Sequence, residues 1–92
     1  MATKSRIWSD SPAHPGGLLL EELVARDLSV RAAAAAMQMS EEDLKAVCEG
    51  RQPLSAGLAW SLETLFGDIS ARFWMGLQTD YDLAVERLRR TN

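Results

Sequence analysis

The chain has 92 residues, a formal net charge of −3 and a sequence pI of about 5.0. That length makes one domain with a single core, and a lone cysteine, Cys48, excludes an internal disulfide framework and suits a reducing compartment. No run approaches the roughly 18 apolar residues of a membrane span, and MATKSRIWSDSP is not followed by the apolar stretch of a signal peptide, so a cytoplasmic protein without membrane contact is expected.

Residues 1–13 read as a polar arm and residues 14–92 as the folded domain. Ile7 and Trp8 stand out in the arm: they are either an anchor for a protein partner or, for Trp8, a side chain folded back on its own core. His14-Pro15-Gly16-Gly17 predicts a turn with a solvent-facing histidine, although Pro15 also suits an early helix position. From Leu18, the spacing of Leu19, Leu20, Leu23 and Val24 predicts a first helix. Ser29 is an N-cap for a second helix through Met37, in which Ala32–Ala36 would let a neighbour approach closely. Ser40 caps a third helix with Leu44 and Val47 inward and Cys48 as a packing residue, and Gly50 stops it. Ser55 caps a fourth, with a stripe of Leu58, Leu62, Leu65 and Phe66 ended by Gly67. Ser70 caps a fifth, with Trp74, Leu77, Tyr81, Ala84, Val85 and Leu88 on one side. No segment alternates like a strand. The expected fold is all-α with five helices.

Catalytic signatures are missing. The single histidine and single cysteine have no partner at metal-ligand or catalytic spacing, so neither enzyme activity nor a metal or cofactor is expected. The second and third helices, joined by a short turn, instead match a helix-turn-helix, in which the third helix enters the major groove and the start of the second lies on the backbone. That geometry makes Ser29, Arg31, Ser40, Lys45 and Arg51 candidate phosphate contacts. Trp60, off its own stripe, either closes a dimer interface with Trp74, Leu77 and Tyr81 of helix five or covers a gap within the chain. Arg87, Arg89 and Arg90 suit a helix C-terminus.

Three segments then carry a resemblance: His14-Pro15-Gly16 ahead of the leucines, Gly50-Arg51-x-x-Leu54-Ser55, and above all Phe73-Trp74-x-x-Leu77-Gln78-x-x-Tyr81-Asp82-Leu83. Over residues 14–83 the sequence resembles the HigA-type antitoxins of bacterial toxin–antitoxin operons, a branch of the phage-repressor-like (Xre) helix-turn-helix proteins. The resemblance implies a homodimeric repressor of its own operon that binds operator DNA and neutralises an mRNA-cleaving toxin of the RelE-like fold. It also places Glu41, Glu42, Lys45 and Ala46 where bases or adjacent phosphates are read. The sequence departs from the family at Gln38, where glycine is frequent in the turn, at Gly57, at Gly76 and at the start of the third helix.

That start is the puzzle. Glu41, Glu42 and Asp43 open a helix whose segment, residues 40–51, carries two bases against four acids. First-turn carboxylates complement the helix dipole; one could accept a hydrogen bond from cytosine N4; or operator binding has been weakened. The alternatives to an antitoxin are a stand-alone transcriptional regulator and a protein-interaction module that no longer binds an operator.

Overall fold

The computed structural model describes residues 12–91. It contains five helices: α1 Pro15–Ala25, α2 Val30–Ala36, α3 Glu41–Cys48, α4 Ala56–Phe66 and α5 Ala71–Thr91. No strand occurs among the described residues. The arm with Ile7 and Trp8 lies outside the described residues, apart from its last two positions.

Every helix start is set by a local side chain. Ser29, Ser40, Ser55 and Ser70 each accept, through Oγ, the backbone N–H three residues on, at 3.0–3.1 Å; these bonds satisfy donors that a helix N-terminus leaves free. α1 begins earlier than its leucine periodicity predicts. Pro15 occupies its first position, and His14 is the cap, its Nδ1 accepting from the Gly16 N–H at 2.9 Å. His14 is therefore half-buried rather than solvent-facing, and its ring meets Tyr81 edge-on at 4.8 Å.

The stops are equally regular. After α1, α2 and α3 the chain turns through a left-handed residue, Asp27 (φ 55°), Gln38 (φ 57°) and Gly50 (φ 77°). Each stop has paired reverse hydrogen bonds: Asp27 N to Val24 O with Leu28 N to Leu23 O, Gln38 N to Ala35 O with Met39 N to Ala34 O, and Gly50 N to Val47 O with Arg51 N to Ala46 O. Two of the three left-handed residues are not glycine, so this conformation is held against side-chain sterics.

The core is one cluster built from Leu19, Leu23, Ala33, Ala34, Leu44, Val47, Leu54, Leu58, Leu62 and Trp74, among others. Leu20 and Val24, read as part of the inward stripe of α1, are exposed instead. Trp74 is a correction of greater weight. It is 0 % exposed, directed from α5 into the buried cluster with its ring 6.2 Å from that of Phe66 on α4, so it is a core residue and not a surface of association.

Two contacts fix how α3 sits. Gly16 touches the end of α3 so closely that an added Cβ would lie 1.9 Å from the Val47 carbonyl oxygen; the positive end of α1 thereby meets carbonyls at the negative end of α3. Gln78, 5 % exposed, accepts the Leu54 N–H on Oε1 at 2.7 Å and donates from Nε2 to Asp82 Oδ1 at 2.9 Å. A separate tie, between α1 and the end of α4, is made by Arg26, which bonds Glu22, reaches Asp68 at 2.7 Å and lies 4.1 Å above the Phe66 ring. The hydrogen bond to Glu22 chiefly pulls its guanidinium pKa up.

Gly16→Ala should destabilise the fold by about 1–3 kcal/mol, because the methyl can be housed only by pushing α1 off α3; urea denaturation of both proteins measures it. Gln78→Leu should cost a similar amount, about 1–3 kcal/mol, by stranding the Leu54 N–H in the core, and the same titration reads it.

Candidate nucleic-acid interface

α2 and α3 share one exposed edge. The turn at Gln38 brings their N-termini side by side, so that Arg31 Nε lies 4.0 Å from Glu41 Oε1. Small residues make this possible: Ala33 and Ala34 are buried at the crossing, where larger side chains would hold the helices apart.

The helical repeat sorts the charges of α3. At about 100° per residue, Glu41, Glu42, Lys45 and Glu49 fall on one outward face, while Leu44, Val47 and Cys48 point to the core. Asp43 lies about 160° around the axis from Lys45, away from that face. Arg31 joins the face from α2, and Arg51 joins it from the loop, paired with Glu49 at 2.7 Å. The face thus carries Glu41, Glu42 and Glu49 against Arg31, Lys45 and Arg51, three charges of each sign. The segment is acidic by count, but this face is balanced, because Asp43, although exposed, lies on another side of the helix and Arg31 is added from α2.

The remaining expected positions divide. Ser29, Arg31, Ser40, Glu41, Glu42, Lys45 and Arg51 are all exposed. The Ser29 and Ser40 hydroxyls accept the capping bonds, which leaves each O–H proton to donate to a phosphate. Ala46 does not belong to the set. It is 2 % exposed and its carbonyl accepts from Arg51 N at 2.8 Å, so it cannot reach a base. Cys48 is buried beside it; desolvation first, and the Glu49 carboxylate second, push its thiol pKa up, as for a packing residue rather than a nucleophile.

Of the residues expected at a dimer interface, Trp60 is 63 % exposed and lines a shallow groove with Ala56, Glu63, Arg72 and Met75. Among the described residues it covers no gap. Leu77 and Tyr81 are half-buried, the latter against His14. Their stripe runs on along α5 through Ala84, Val85 and Leu88. No helix among the described residues is long and apolar enough to cross a membrane.

This arrangement has solved counterparts. The antitoxin HigA of Pseudomonas aeruginosa, solved with the higBA promoter, is 38% identical, with 82% of each chain covered and a TM-score of 0.77. The chain belongs to the HigA antitoxin family. An addiction-module antidote protein of the HigA family from Coxiella burnetii is 31% identical, covering 80% of each chain with a TM-score of 0.75. Virulence-associated protein A' of Dichelobacter nodosus is 32% identical over 74 residues, which are 80% of this chain but 64% of that protein. No protein-family model matches the chain. Within this HigA-family chain, sequence reasoning missed the Arg26 clamp and the left-handed Asp27. Gln78 was visible as part of a signature, but its task was not.

Proposed function

We propose that this HigA-family chain is an antitoxin that represses its own operon: a cytoplasmic binding protein without catalysis, acting on operator DNA through α2 and α3 and on a RelE-like mRNA-cleaving toxin through folded surface. The observation that carries the DNA half is the balanced outward face of α3. Arg31, Lys45 and Arg51 offer three cations to the backbone from one side, and the serine-capped N-termini of α2 and α3 add hydroxyl donors beside them. The likeness to a HigA solved with promoter DNA supports the same reading. A homodimer is part of the proposal, because two reading helices are needed for a two-fold operator, and the apolar stripe of α5 outruns the body it packs on.

A labelled duplex from immediately upstream of its own gene, titrated beside an unrelated duplex, tests the DNA half. Preferential binding is expected, with affinity falling steeply in salt. Lys45→Ala should flatten that log–log salt slope by about one per protomer. Equal affinity for both duplexes would reject an operator function.

The toxin half is tested on the product of a neighbouring gene for a small basic protein. An equimolar amount of this chain should abolish its RNA cleavage. Operator binding without such protection would leave a stand-alone regulator.

A further inference from the structure

We propose that Arg31 and Glu41 act as one reading unit: Glu41 accepts a hydrogen bond from N4 of a cytosine in each operator half-site, while Arg31, 4.0 Å away, neutralises that carboxylate beside the backbone. This rests on the operator function proposed above and adds which base is read, and by which atoms.

The geometry singles out Glu41 among three adjacent acids. It is the first residue of α3, at the end of the helix that leads into the groove. Its Oε1 lies 4.0 Å from Nε of Arg31 on the preceding helix, with side chains 55% and 86% exposed. Burial therefore forces neither side chain into place. Glu42 has no ion pair among the described residues, and Asp43 is turned off the outward face. An uncompensated carboxylate among phosphates is repelled at distances that physiological salt, with a Debye length of about 8 Å, does not screen. Of the three acids that open α3, Glu41 alone has an ion-pair partner among the described residues, whereas Glu49, paired with Arg51, lies at the other end of the helix.

The chemistry then selects the base. In the major groove guanine presents two acceptors and thymine an acceptor and a methyl group, all of which disfavour a carboxylate. Adenine offers N6–H but sets the N7 acceptor beside it. Cytosine offers the N4 donor without a neighbouring acceptor of its own, so a lone carboxylate prefers it. A stabilising role at the helix start does not account for the pairing. The cap is made by Ser40 Oγ on the Asp43 N–H, and any first-turn acid would satisfy the dipole without meeting Arg31.

The test uses the upstream duplex and a set in which each C·G pair of a half-site is changed in turn to T·A, with binding measured at near-physiological salt. The wild-type protein should lose about 5- to 150-fold in affinity at one cytosine position. Glu41→Ala, which removes the acceptor, should bring the loss at that position within about two-fold, and Glu42→Ala should leave the wild-type profile. Arg31→Ala should weaken binding to every duplex and blunt the same preference. Circular dichroism melts check that the variants fold. A Glu41→Ala protein that keeps the wild-type base profile overturns the reading unit alone. A wild-type protein without preference for the upstream duplex overturns the unit together with the operator function.

Discussion

The side-chain amide of Gln78 joins α5 to the connection between α3 and α4 at one buried point. A buried amide must have its hydrogen bonds met inside the protein, and here both ends are used: the oxygen takes the Leu54 N–H, the nitrogen gives to Asp82. Leu54 belongs to the connection between α3 and α4, which has no regular structure to supply a partner for that N–H. Gln78 therefore pins to α5 the loop in which the end of α3 and Arg51 are set. The position of the outward face depends on a residue that never approaches it.

That face also shows why a count of charges along the sequence misleads. Four acids within residues 40–51 suggest a surface hostile to nucleic acid, but a helix distributes its residues around an axis. Asp43 is carried off the face, while Arg31 enters it from another helix across a gap closed by alanines. The balance that results is a property of the packed pair of helices.

Local chemistry was legible from the residues. Serine caps act within three residues, and the stops at Gly50 and Gly67 follow from backbone freedom, so helix boundaries were readable for α2 to α5. The turn at Gln38 stood out as a departure because glycine is frequent there in the family, and its left-handed backbone accounts for that preference. What failed was anything that depended on a third partner. The stripe of α5 has the same spacing whether it packs inside one chain or against another, which is why Trp74 was assigned to an interface although it fills the core. Ala46 entered the reading set by resemblance alone, and only the packed orientation of α3 removes it. Arg26 joins α1 to Asp68 over 42 residues, a distance at which charge pairing leaves no periodic trace. His14 carried a weak signal: a histidine ahead of proline and glycine is a possible cap, but its contact with Tyr81 is tertiary.

Most helix pairs are separated by interlocking side chains, which can shift rotamers and absorb small displacements. At Gly16 there is no such cushion, since the backbone of α1 rests on the final carbonyls of α3. Leu20 and Val24 lie exposed on α1, within three turns of that contact. At that point no side chain lies between the two backbones to take up a displacement of α1. The outer surface of α1 and the helix α3 thus meet through a residue that has no side chain.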